Sequence, residues 1–309
     1  MKETAVIINS KSFEDALKSN MEMFADEIAA DFKHHFETKD GINGSRHSIV
    51  LDIDADCQPG FFIDESFLAY RRGDISLEEI KESFTIAANQ TIEMFKERNI
   101  KMDSIVFDKD YILSHAICCM CNTKRNMNTL DAMPHREYLD LSIYYKIIYD
   151  IDDTDMTGAT NVSNDMIAKF DISEEELYEA ASKNTAENYP YVTSLLSPFG
   201  PRMMDDFVLM MDPMFPMIAI TNKAMQYAAT FMTNEAMLKK VYDKIGNYYI
   251  LPSSVHEVII VKAESDAIDA NGSDGLKNMV REVNSTMLVP SDYLSDNIYF
   301  FDGTELRIV

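Results

Sequence analysis

Residues Tyr248 to Val261 read YYILPSSVHEVIIV. The β-formers Tyr248, Tyr249, Ile250 and Leu251 are stopped by Pro252, which has no N–H to give a ladder. Val258, Ile259, Ile260 and Val261 follow as an unbroken apolar run, the pattern of a strand covered on both faces. Runs of this kind around a short Pro-Ser-Ser turn predict a hairpin, or adjacent strands, within a central sheet. Ser253, Ser254, His256 and Glu257 then fall at the sheet's end, where polar sites are often built.

Working outward, Met217–Thr221 reads as a strand, Asn234–Ile245 and Leu276–Asn284 as helices, and Asn297–Phe301 and Leu306–Val309 as terminal strands. Upstream, Pro190, Pro198, Pro201, Pro213 and Pro216, with Gly200 among them, break Tyr189–Pro216 into short pieces. Before that, helices are expected over Ser12–Thr38, Ser76–Arg98 and Ser173–Lys183. Each opens on a capping pair: Ser12 with Asp15, Ser76 with Glu79, Ser173 with Glu176. Strands are expected over Ser48–Ala55, Phe61–Ile63, Met102–Phe107, Tyr111–Cys121 and Tyr138–Ile148. Helices and groups of strands in this order predict an α+β fold with largely antiparallel, mixed sheets and flanking helices. The proline-rich stretch suggests a division into an N-terminal α+β subdomain over 1–188, a Pro/Met-rich connection over 189–216 and a C-terminal α+β subdomain over 217–309.

The chain has 309 residues, with 52 Asp and Glu against 28 Lys and Arg, a net charge of −24. Such a balance opposes direct binding to nucleic acid or to anionic membranes, both of which need clustered cations. It suits a basic partner. No stretch approaches the roughly 20 apolar residues of a membrane span, and the start MKETAVIINSKSFEDAL lacks a signal-peptide core. Cys118, Cys119 and Cys121 lie in an apolar run with neither zinc-ligand nor disulfide spacing, and Cys57 stands apart. Reduced thiols in a cytoplasmic protein are the expectation. No glycine-rich phosphate loop occurs, and no cofactor is expected.

Candidate chemistry is thin. His256-Glu257 lacks the second histidine of a zinc helix, because the fifth position is Ile260. An acid–base pair at the sheet end remains a reading, although neighbours on a strand point to opposite faces. His135 and Arg136 suit anion binding or a strand cap. Asp52, Asp54 and Asp56 alternate, so on a strand they would share a face suited to Mg²⁺ or Ca²⁺. Asp150, Asp152, Asp153 and Asp155 form a second acidic group on an expected loop. Six methionines between Met203 and Met217 suit core filling, an adaptable binding surface or, through their thioethers, Cu(I). Arg136, Asn222, Ser253 and Ser254 complete the candidate binding residues.

Several stretches resemble a family of unknown function from anaerobic gut bacteria. They are SLEEI at 76–80, PHREYLDLSIYY at 134–145, ISEEELYEAASKNT at 172–185, LPSSVHEVIIV at 251–261, MVREVN at 279–284 and LSDNIYFF at 294–301. The part from Ala219 to Val261 is also distantly similar to a second uncharacterised family, from Bacilli. The resemblance implies a shared fold and no known activity. Absence of catalytic motifs plus charge points to a non-catalytic module that binds a protein, with no recognisable enzyme signature. The alternatives are a hydrolase with a site near His135, His256 and Glu257, and an acidic mimic of nucleic acid.

Overall fold

The computed structural model describes residues 10–54, 58–98, 107–150, 157–195, 202–204, 207, 217–264, 268 and 272–309. The chain divides into two compact units. One is Met1–Ile105 with Asp152–Thr154, and the other is Val106–Ile151 with Asp155–Val309.

In the first unit, helix α1 (Ser10–Ile28) buries Met21, Phe24, Ala25 and Ile28 along one stripe. The helix expected to reach Thr38 stops at Ile28, and strand β1 (His34–Gly41) follows. The residues of HHFETKDG alternate between half-buried and exposed, so period two replaces period 3.6. Phe32 keeps its place in the core through a turn, edge-on to Phe84 with centroids 5.7 Å apart. β1 pairs antiparallel with β2 (Gly44–Leu51) across a tight turn in which Asn43 takes φ 66° and Gly44 φ 124°. β3 (Gly60–Phe62) adds to the other edge of β2. Helices α2 (Asp64–Arg72) and α3 (Leu77–Arg98) complete the unit. α3 opens on the expected capping box, with Ser76 N–H donating to Glu79 at 2.9 Å and Glu79 N–H to Ser76 Oγ at 3.3 Å.

The second unit begins with α4 (Lys109–His115) and β4 (Ala116–Asn122). The expected strand Tyr111–Cys121 is therefore half helix. Asp108 caps α4 through the Tyr111 N–H, and Tyr111 stacks on His115 one turn later at 3.9 Å. After α5 (Thr123–Leu130), β5 (His135–Tyr138) and β6 (Leu141–Asp150) form a hairpin. β7 (Thr157–Asn161) pairs with the far half of β6, on the same edge as β5, while β4 takes the opposite edge. α6 (Asn164–Lys169) and α7 (Glu174–Asn188) follow, each capped by serine, Ser163 and Ser173. α7 covers the outer edge of β4, where Thr185 Oγ1 accepts from Cys118 N–H at 2.9 Å.

The remaining strands are β8 (Tyr191–Leu195), β9 (Arg202–Met203), β10 (Met217–Asn222), β11 (Tyr248–Pro252), β12 (Val258–Lys262), β13 (Tyr299–Phe301) and β14 (Leu306–Ile308). They make one seven-stranded sheet in the order β14-β13-β11-β12-β10-β8-β9. β11 and β12 form the expected hairpin at its middle, with Tyr248 opposite Lys262 and Pro252 opposite Val258. One face packs on the 3₁₀ turn Ala228–Thr233 and α8 (Glu235–Ile245), burying Ile250, Ile260, Phe231 and Val241. The other packs on α9 (Ser273–Thr286), through Leu251, Val261, Leu276 and Val280. Every strand pairing among the described residues is antiparallel, so the fold is α+β with flanking helices.

The division expected at 188 and 217 falls inside this second unit. β8 and β9 come from the proline-rich stretch itself, because Pro190 leaves the YVTSL run behind it intact to pair with β10. Met120 of β4 and Leu141 of β6 share one apolar cluster with Ile220, Tyr248 and Ile250 of the large sheet. Most of residues 189–216 lies outside the described residues, as do three of the six methionines, Met210, Met211 and Met214.

Candidate binding site

The turn between β11 and β12 brings Ser253, Ser254, His256 and Glu257 together, and it uses all of them. Ser253 Oγ donates to Glu257 Oε1 at 2.9 Å, and Ser254 N–H to the Glu257 carbonyl at 3.2 Å. The His256 N–H donates to Ser254 Oγ at 3.0 Å. His256 Nδ1 accepts the Tyr227 N–H at 3.2 Å, which places the neutral ring's proton on Nε2, and Nε2 lies 3.5 Å from Asp292. Both ring nitrogens are thus engaged by the protein. Asn222, nearly fully buried, closes the neighbouring loop by donating to the Gln226 carbonyl at 2.7 Å and accepting its N–H at 3.1 Å.

His135 and Arg136 do not join this turn. His135 Nδ1 donates to the Met133 carbonyl at 2.9 Å. Arg136 grips Glu174 with Nε and Nη2 at 2.7 and 2.8 Å, reaches Glu175 at 2.6 Å, and lies 3.9 Å over the Tyr178 ring. The buried Tyr145 hydroxyl donates to the same Glu174 carboxylate. These bonds raise the already high pKa of Arg136. Burial pushes the Glu174 pKa up, but Arg136 and Tyr145 outweigh it and the carboxyl sits below its ordinary value. The anion-binding role read for Arg136 is already filled, by this chain's own carboxylates.

At Asp52 and Asp54 the strand expected to give Asp52, Asp54 and Asp56 a shared face does not continue. β2 ends at Leu51, and the chain bends at once, with Ile53 N–H donating to the Leu51 carbonyl at 3.1 Å. Without the pleat, alternation no longer puts the Asp52 and Asp54 carboxylates on one side. Asp52 instead meets His35 Nδ1 at 2.8 Å, Asp54 is exposed, and Asp56 lies outside the described residues, as do Asp152, Asp153 and Asp155. Among the described residues no group of three or more His, Cys, Asp or Glu side chains could hold a metal ion. Cys118, Cys119 and Cys121 are free thiols buried in β4. Burial pushes the Cys118 pKa up to about 11 and that of Cys121 up to about 12, and raises Cys119 as well, so all remain protonated and unreactive near neutrality. Cys57 lies outside the described residues.

Nothing local in the sequence marks the two polar assemblies that remain. In the first unit, Asp64 at the start of α2 takes both the His47 N–H at 2.9 Å and His47 Nδ1 at 2.8 Å, while the His47 ring stacks on Phe36. This ties α2 to β2. In the second unit, Asp140 sits in the β5–β6 turn, beside Leu139 at φ 60°. Its carboxylate accepts from Ser295 Oγ at 2.6 Å, Asn297 Nδ2 at 2.9 Å and the Tyr299 hydroxyl at 2.7 Å. Asp140 thereby anchors the segment leading into β13. Above it opens a cavity of about 500 Å³ lined by Asn122, Lys124, Arg125, Asp140, Tyr293, Ser295, Asp296 and Asn297.

The walls of this cavity are held in place from behind. Asn122 caps α5, its Oδ1 accepting the Arg125 N–H at 3.0 Å and its Nδ2 donating to the Leu294 carbonyl at 3.0 Å. Asn284 of α9 donates to the Ser295 carbonyl and to Asp296, each at 2.9 Å. The Arg125 guanidinium carbon stands 3.3 Å from the centre of the Tyr293 ring. The Lys and Arg ion pairs among the described residues involve Arg72, Lys109, Arg136, Lys239 and Arg307, and neither Lys124 nor Arg125.

The class defined by this geometry is an antiparallel α+β protein with a preformed polar cavity. A family of unknown function, DUF5688, matches residues 10–303, and the chain belongs to that family. No curated protein and no solved structure matches the chain. No helix among the described residues is long and apolar enough to cross a membrane.

Proposed function

We propose that this chain is a non-catalytic binding module of the bacterial cytoplasm whose partner is a basic protein. The observation that carries this reading is the net charge of −24, which would steer and hold a cationic surface. The engaged state of the catalytic candidates supports it further. His256 Nδ1 accepts the Tyr227 N–H while Nε2 lies 3.5 Å from Asp292, Arg136 is clasped by Glu174, and the β4 thiols are buried. Free, buried thiols on β4 also accord with a reducing compartment. The methionine-rich stretch from Met203 to Met217 would supply an adaptable apolar contact.

Affinity purification of the tagged chain from its native cells, followed by titration of the recovered partner against the purified chain, tests this reading. The expected result is a stoichiometric partner with a basic surface, whose affinity falls steeply as salt is raised. An affinity indifferent to salt, or hydrolytic turnover by the pure chain that is lost in His256→Ala, would replace it with another function.

A further inference from the structure

The cavity above Asp140 combines fixed walls with uncommitted charge. Its volume, about 500 Å³, is that of a small-molecule site. Every lining residue is polar or, in Tyr293, aromatic with a polar tip. Lys124 and Arg125 occupy the first turn of α5, so their charges add to the positive end of a helix. At 3.3 Å from the Tyr293 ring centre the guanidinium lies flat on the ring, since an edge-on approach would drive its nitrogens into the π face. Stacked this way, it turns its in-plane N–H groups outward, in the fork that matches a carboxylate. Among the described residues neither Lys124 nor Arg125 forms an ion pair, although the chain carries nearly twice as many acids as bases and Asp140 and Asp296 line the same cavity.

The same cavity also presents acid. Asp140 and Asp296 line it, and their like charge would oppose a bare anion such as phosphate. Asp140 is already bonded to three donors and Asp296 to Asn284, so both are held where they are before any ligand arrives. A ligand that suits both ends carries a carboxylate for Arg125 and Lys124 and an ammonium for the acidic side. We infer that this cavity binds a small zwitterion, a free amino acid or a short peptide, with its carboxylate on Arg125 and Lys124 and its ammonium towards Asp296 and Asp140. The inference is independent of the partner proposed above.

Calorimetric titration of the full chain with a panel of L-amino acids and dipeptides tests it, with acetate and inorganic phosphate as probes carrying only the anionic end. The expected result is binding of at least one zwitterion at millimolar concentration or tighter. Whether amino acids or dipeptides bind identifies the source. Arg125→Gln should weaken that binding about tenfold or more, as loss of a charged hydrogen-bond partner does. Asp296→Asn, which keeps an acceptor for Asn284, should weaken it in the same direction. Thermal melts of both variants should stay within about 4 °C of the parent, which separates loss of the site from loss of the fold. No heat from any zwitterion overturns the inference. So does equal binding of acetate or phosphate, or zwitterion binding that survives both substitutions.

Discussion

The His256 turn and the Asp140 cavity are both polar assemblies at the ends of β-structure, and they differ in what each has left over. At His256 the side chains are satisfied by one another: Ser253 by Glu257, Ser254 by the His256 N–H, and His256 by Tyr227 and Asp292. At Asp140 the interior is equally satisfied, but Lys124 and Arg125 at the mouth have no ion-pair partner among the described residues. A histidine beside a glutamate catches the eye in a sequence. The cavity is written in residues 122–125, 140 and 293–297, each ordinary in its own stretch. Polarity marks both regions, and in the second Lys124 and Arg125 form no ion pair among the described residues.

The sharpest way to break this comparison is at the cavity floor. Asp140→Ala leaves the Ser295 and Tyr299 hydroxyls, on nearly inaccessible residues, and the Asn297 amide without their acceptor. Orphaned buried donors of this kind should cost about 3–5 kcal/mol of unfolding free energy. Asp140→Asn keeps an acceptor and should cost less. Urea unfolding followed by circular dichroism would measure both. A loss below about 1 kcal/mol for Asp140→Ala would mean that water replaces the carboxylate and that the floor is not a scaffold.

A smaller effect is expected at Arg136, which belongs with His256 among the satisfied groups. Arg136→Gln should cost about 1–3 kcal/mol near neutral pH, because it strips the charged partner from Glu174. The pH dependence has a definite sign. The folded Glu174 carboxyl lies below its unfolded value, so its contribution is complete above the ordinary value of about 4.3 and is lost as pH falls through the folded one. Acid unfolding should therefore flatten in Arg136→Gln over that window. An unchanged slope would show that the pair contributes nothing measurable.

His256→Ala should cost less again, about 1–2 kcal/mol, since one backbone N–H, that of Tyr227, loses its acceptor. Tyr227 also holds φ 55°, so the lost bond acts on a residue already in the left-handed region. Thermal melts would read the change. A variant as stable as the parent would show that the ring is not a structural pin, and the hydrolase reading would regain its base.

What the sequence made legible follows from how local each signal is. The β11–β12 hairpin, the serine caps at Ser76 and Ser173, and the antiparallel α+β class rest on short-range patterns and appear as expected. The helix expected over Ser12–Thr38 overruns α1 because Phe32 continues a helical spacing that a turn serves equally well. α4 falls inside the strand expected over Tyr111–Cys121 because a β-prone run follows directly behind it. Sites fared worse for a physical reason. The Asp140 network joins residues more than 150 positions apart, and the His47–Asp64 tie depends on where α2 begins. Alternating aspartates at Asp52 and Asp54 meant a shared face only while a strand was assumed to run through them.

The smallest expected effect is at the mouth of the cavity, and it bears hardest on the comparison. Lys124 is exposed and forms no ion pair among the described residues, so Lys124→Gln should change stability by no more than about 0.5 kcal/mol. Arg125→Gln loses only its stacking on Tyr293, worth about 0.5–1 kcal/mol at an exposed site. Each change also deepens the net negative charge, which adds a slight salt-dependent penalty common to both. If the cations are there for a ligand, these variants lose no more stability than these amounts, and their main failure is in binding. A loss above about 1.5 kcal/mol in either would mean that the side chain is committed to the fold, as His256 and Arg136 are, because losses of that size come from broken buried contacts. The two regions would then no longer differ in kind.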